Sequence, residues 1–181
     1  TFGPVALTGA NGTASGASIS GNHGYAATNG ISQDDKDAVM MAAWYGLSGS
    51  EALTVSNLPA EISGEYYVIV YGDANGSRTM SYAIGAETKI INDSSDFSGS
   101  FEDGKEYVLF SGLSGDSFTL TGASSGARSA VNGIQIGAGL PPTTITAFEV
   151  DDEYVTSGTD VEFSWNVVNY DSLILNPGNI D

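Results

Sequence analysis

The residues best suited to chemistry are aromatic rings with a few polar companions. Tyr67, Tyr71 and Tyr82 are placed to share one sheet face, and Tyr25, Trp44 and Tyr45 to share an edge. Asp73, Asn75, Arg78, Arg128 and Asn132 are the candidate polar partners. Aromatic faces stack on the C–H surfaces of sugars, while Asn, Asp and Arg reach hydroxyl groups. Each ring contributes on the order of 0.5–1.5 kcal/mol, so such sites cluster two or three. The competing reading of any one ring is core packing. Trp44, expected on a helix, is the one most expected to be buried. Arg78 and Arg128 stand out among five basic residues in all. The competing reading of either is a pair with a neighbouring carboxylate.

Hard oxygen ligands suggest a second chemistry. Asp34, Asp35 and Asp37 predict one structural calcium ion; Asp73 with Asn75, and Asn92 with Asp93 and Asp96, are further groupings. None completes an Asp-x-Asp-x-Asp-Gly loop with a distal Glu, and each cluster would also serve as a helix cap or turn.

Catalytic patterns are weak. His23 is the single histidine, and no Gly-x-Ser-x-Gly elbow accompanies it. Glu149, Asp151 and Glu153 alternate as glycosidase carboxylates can, but they precede the turn at Thr156-Ser157-Gly158, where no cleft is expected. Phosphate loops, dinucleotide fingerprints and His-rich metal sites are missing from the sequence. The expectation is a chain that is not itself an enzyme.

A strand must position the tyrosines. Tyr66 to Tyr71 is an uninterrupted aromatic and β-branched run, stopped by Asp73-Ala74-Asn75-Gly76. Alternation sends Tyr66, Val68 and Val70 one way and Tyr67, Ile69 and Tyr71 the other. Neither face is polar, which predicts a central strand covered on both sides or facing a cleft. Strands are expected at Ala52–Val55, Thr79–Ile84, Thr88–Asn92, Phe97–Phe101, Tyr107–Gly112, Ser117–Thr121 and Ala130–Ile136. A hairpin with a nearby Asp-Gly turn is expected across Gly99–Lys105. Before them, Val5–Leu7 and Ala17–Ser20 are short strands in a loop-rich segment. A helix is expected over Ala38–Tyr45, capped by the preceding aspartates and ended by Gly46.

Composition bounds the rest. The chain has 181 residues, 24 of them Gly, and a formal net charge of −17. That field repels phosphate backbones, which excludes nucleic acid as a natural partner. With no cysteine there is no disulfide or thiolate chemistry. No apolar run approaches the roughly 20 residues that span a bilayer as a helix. The acidic, Lys-poor surface suits salt water, and any export signal is expected to have been removed.

Two resemblances add to this. Ile145-Thr146-Ala147-Phe148, Ser157-Gly158, Val161, Phe163-Ser164-Trp165-Asn166-Val167 and Asn176-Pro177-Gly178 resemble the first half of bacterial immunoglobulin-like repeats. That resemblance implies an extracellular spacer whose later strands are missing. Leu58-Pro59 before the tyrosine strand, Gly112–Leu120, and Arg128–Ile136 more loosely resemble jelly-roll modules of the galactose-binding-like and carbohydrate-binding kind.

The expectation is therefore an all-β chain. A jelly-roll-like β-sandwich with one short helix occupies residues 1–138, a linker 139–144, and a partial Ig-like β-sandwich 145–181. Its expected role is non-catalytic binding of polysaccharide or other glycan as part of a secreted, multidomain bacterial protein, outside the cell or at its surface. The alternative is a structural adhesin, filament or spacer subunit, whose open Ig-like part is completed by a neighbouring domain or subunit.

Overall fold

A computed structural model describes residues 1–22, 25–31, 36–74, 76–124 and 128–139, together with the backbone of 144–150 and 163–168. The chain divides into two compact units, Thr1–Leu140 and Pro141–Asp181.

The first unit runs β1 (Phe2–Thr8), β2 (Ala14–Gly21), β3 (Tyr25–Thr28), α1 (Lys36–Met41), β4 (Ala43–Leu47), β5 (Ala52–Ser56), α2 (Ala60–Ser63), β6 (Tyr66–Tyr71), β7 (Arg78–Ile84), β8 (Glu87–Asp93), β9 (Tyr107–Leu113), β10 (Phe118–Ser124), β11 (Ser129–Val131) and β12 (Gly133–Ala138). One layer is a six-stranded sheet in the order β1-β2-β5-β10-β7-β8. Opposite it stand two three-stranded sheets, β12-β6-β9 and β11-β4-β3. All pairings between strands are antiparallel. The chain is all-β, in sandwich form.

The inner faces share one apolar cluster. Leu53, Val55, Met80, Tyr82, Ile84, Ile91, Phe118 and Leu120 come from the six-stranded sheet; Tyr66, Val68, Val70, Val108 and Phe110 come from β6 and β9. Burial of these side chains drives the layers together, at about 25 cal/mol per Å² of apolar surface. Alternation along β6 holds as expected: Tyr66, Val68 and Val70 are buried, and Tyr67, Ile69 and Tyr71 are half-buried on the other face.

Several expectations need correction. The helix stops at Met41, and Gly46 does not end it. Trp44, Tyr45 and Gly46 belong to β4, which is zipped between β3 and β11. Strand pairing on both sides overrides a short helix that is marginal alone. At Gly46 a Cβ would stand 2.7 Å from Arg128 Cδ and 2.8 Å from the Trp44 ring, so a glycine inside a strand is explained by packing. The segment Phe97–Phe101 forms no strand, and no hairpin spans Gly99–Lys105. Phe97 donates its backbone N–H to Asp73 Oδ2 at 3.0 Å, away from any sheet ladder. The single strand expected over Ala130–Ile136 is broken at Asn132, whose side chain bonds across to other elements. Strand β3 and helix α2 lie where no element was expected.

In the second unit, β13 (Thr144–Val150) and β14 (Phe163–Val168) pair antiparallel, with Phe148 opposite Trp165 and Val150 opposite Phe163. The rest of the partial Ig-like sandwich expected over 145–181 lies outside the described residues, as does the Asp151–Glu153 carboxylate run.

Candidate functional site

Backbone register builds one face of the first unit from three strands. On β6, Tyr67, Ile69 and Tyr71 point outward. Opposite them on β12 stand Gly137, Gln135 and Gly133. Opposite Ile69 and Tyr71 on β9 stand Leu109 and Tyr107. Partners across an antiparallel ladder share a face, so these residues form one surface. Tyr67, Tyr71, Tyr107, Ile69 and Leu109 are all half-buried, and Gln135 is exposed.

Glycines shape this surface. The Tyr67 ring occupies the space over Gly137 that a side chain there would need. At Gly133 a Cβ would meet Met40 Sδ at 2.7 Å and Tyr71 Cδ2 at 3.4 Å. On the β12 side the Tyr67 ring therefore covers Gly137 and Met40 covers Gly133, leaving Gln135 as the exposed polar residue between them. Tyr71 donates its hydroxyl to Gln135 Oε1 at 3.1 Å, which fixes the ring. Its outer edge meets Phe101 at a ring separation of 5.2 Å and Tyr107 at 6.2 Å. Burial, then the neighbouring Tyr107, Asp37 and Tyr67, raises the Tyr71 phenol above its ordinary range. Burial, then Asp103, raises Tyr107. Both stay protonated at neutral pH and serve as hydroxyl donors.

The residues expected at the site separate into three groups. Tyr67 and Tyr71 lie together on this platform. Tyr82 does not join them. It faces the core, fully buried, and donates its hydroxyl to the Ala130 carbonyl. β7 belongs to the opposite layer, so Tyr82 cannot share the outward face of β6.

A second group surrounds Trp44. Tyr25 is 54% exposed and its ring stands 5.7 Å from that of Trp44, which is only 9% exposed. Arg78 lies over the Trp44 ring at 5.8 Å and donates to the Arg128 carbonyl at 3.4 Å. Arg128 lies 6.0 Å from the centre of the Tyr25 ring and is ion-paired with the buried Glu51. Of this edge cluster, Tyr25 offers the exposed ring, while Trp44 and the Arg128 charge serve the fold. The Trp44 indole N–H is buried without a hydrogen-bond acceptor.

The third group, Asp73 and Asn132, is bonded to backbone groups of the fold. Asp73 is 2% exposed, and Asn132 accepts from Asp73 N at 2.7 Å and donates to Met41 O at 2.7 Å. Neither reaches the platform surface. Asn75, Asp34 and Asp35 lie outside the described residues. Asp37 is exposed in the first turn of α1. Among the described residues, no group of three or more His, Cys, Asp or Glu side chains could hold a metal ion.

Sequence reasoning missed Tyr107 and Gln135. Tyr107 joins Tyr71 only through the β6–β9 register, which contains a bulge between Tyr66 and Val68 where Gly112 adopts φ +66°. A signal for Gln135 was available: it is the polar residue in the Ile134-Gln135-Ile136 alternation, and so points away from the core.

No family model and no curated protein matches the chain. A structural likeness is found to exo-beta-1,3-galactanase from Phanerochaete chrysosporium with galactose, at 15% identity and a TM-score of 0.35. It covers 70% of this chain and 31% of that one, so the chain spans about a third of that enzyme's length. No helix among the described residues is long and apolar enough to cross a membrane.

Proposed function

We propose that the unit Thr1–Leu140 is a non-catalytic glycan-binding module of a secreted protein, and that it binds polysaccharide on the outward face of β12-β6-β9. The observation that carries this reading is the set of three half-buried tyrosines, Tyr67, Tyr71 and Tyr107, brought onto one face by the β12-β6-β9 register, with the exposed Gln135 beside them. Ring faces of this kind take the C–H surface of a sugar, and Gln135 with the phenol hydroxyls takes its hydroxyl groups. Such a shallow platform suits a chain of sugar residues rather than a small enclosed molecule. The net charge of −17 favours neutral over heavily sulfated polymers. Electrophoresis of the folded protein through gels containing different neutral and anionic polysaccharides tests the reading. Retardation is expected in at least one neutral polymer; unchanged mobility in all of them overturns it.

A further inference from the structure

On the outward face of β12-β6-β9, Tyr71 and Tyr107 stand directly opposite each other across the β6–β9 ladder. Their ring centres are 6.2 Å apart, and the ring planes are inclined at 53°. The Tyr71 ring is held in two ways. Its hydroxyl, bonded to Gln135 Oε1 at 3.1 Å, fixes the axis of the ring. The Phe101 ring, 5.2 Å away at 67°, fixes the rotation about that axis, because edge contacts between rings favour such an angle. Phe101 rests in turn on Phe97, with ring centres 4.8 Å apart. Phe97 is buried, and its backbone N–H is tied to Asp73 Oδ2. A line of contacts thus runs from the core to Tyr71 and sets its tilt against Tyr107.

A sugar stacks by laying one face of its ring against an aromatic face, the two planes close to parallel. Rings 6.2 Å apart are spaced for neighbouring sugars of one chain. A chain that uses both tyrosines must therefore present neighbouring sugars whose planes are themselves inclined. A β-1,4-linked glucan is a flat ribbon: each sugar is turned over relative to the last, and the mean planes stay near parallel. It engages one of the two rings at a time, and so does a crystal surface built from such ribbons. Glucans with β-1,3 or α-1,4 linkages curl, so each sugar is tilted against the next. The inclination of the two rings is already set before any sugar arrives, and binding incurs little cost in ordering them.

We infer, resting on the proposal that this face binds glycan, that its substrate class is a single neutral chain whose linkage makes it curl, and not a ribbon-like chain or the flat crystal surface of one. Titration calorimetry of the full chain with glucose hexasaccharides that differ in linkage alone tests this. The β-1,3 or the α-1,4 chain is expected to bind about 2–10-fold more tightly than the β-1,4 chain, which is the stacking of one further ring. Tyr107→Ala removes that ring and is expected to bring the curled and ribbon chains to about equal affinity. Crystalline cellulose, spun down with the protein, is expected to leave it in solution. Equal or tighter binding of the β-1,4 chain, or co-sedimentation with cellulose, overturns the inference and leaves the glycan proposal standing. A preference that survives Tyr107→Ala unchanged overturns it too. Should Tyr107→Ala fail to fold, the comparison of linkages in the unaltered protein decides by itself. Binding of none of the hexasaccharides overturns the inference, and unchanged mobility in every neutral polysaccharide gel overturns the glycan proposal with it.

Discussion

The ring of Tyr67 lies where a side chain on Gly137 would stand: a Cβ at that position would come within 2.2 Å of Tyr67 Cζ. A glycine on one strand thus sets the tilt of a ring on the next. Gly137→Val is expected to lift Tyr67 off the sheet and to destabilise the unit by about 1–3 kcal/mol. Glycan retardation should fall in the folded fraction. Denaturant unfolding together with affinity electrophoresis checks both effects.

Tyr67→Ala, Tyr71→Ala and Tyr107→Ala are each expected to weaken glycan binding by about 2–10-fold, the equivalent of about 0.5–1.5 kcal/mol for one ring. Tyr82→Phe is expected to do the reverse. It removes the hydroxyl that reaches Ala130 inside the core and costs about 1 kcal/mol of stability. Its glycan affinity should not change.

How much of this was legible from the chain follows from periodicity. The alternation of Tyr66–Tyr71 gave the two faces of β6 directly, because a strand's period is two. Tyr82 was misplaced because alternation assigns a face within a strand but not the layer to which that strand belongs. Local propensity over Ala38–Ala43 favours a helix that would carry Trp44; the pairing of β4 with β3 and β11 is long-range and invisible to it. Residue type alone makes Asn132 a candidate polar partner for a sugar. In the fold it spends both ends of its amide on backbone groups.

Arg128 and Glu51 form the one ion pair with a buried carboxylate among the described residues. Arg128→Gln strands Glu51 without its cation and is expected to cost about 3 kcal/mol or more, as removal of one partner of a buried pair does. Arg128→Gln combined with Glu51→Gln should recover much of that loss. Thermal melts of the single and double variants decide the matter.

Burial above all raises the Asp73 carboxyl from 3.8 to about 6, with Asp93 and Asp96 adding to it and the Phe97 N–H opposing it. A carboxyl whose value is raised by folding prefers its proton in the folded state. Its contribution is fully present below pH 3.8 and is lost as pH rises through about 6. The contribution of this group should therefore rise on acidification from neutral pH toward 4, by on the order of 2 kcal/mol, and Asp73→Asn should remove it. Melting temperatures of the two proteins across that range measure this.

Backbone amide shift mapping by NMR, as an oligosaccharide from a retarding polymer is titrated in, tests whether glycan lies on the outward face of β12-β6-β9. Perturbations are expected to centre on Tyr67, Ile69 and Tyr71 and to spread to Tyr107 and Gln135, with the core around Tyr82 unmoved. Perturbations confined to the Tyr25 and Trp44 edge, or to the six-stranded sheet, would contradict it.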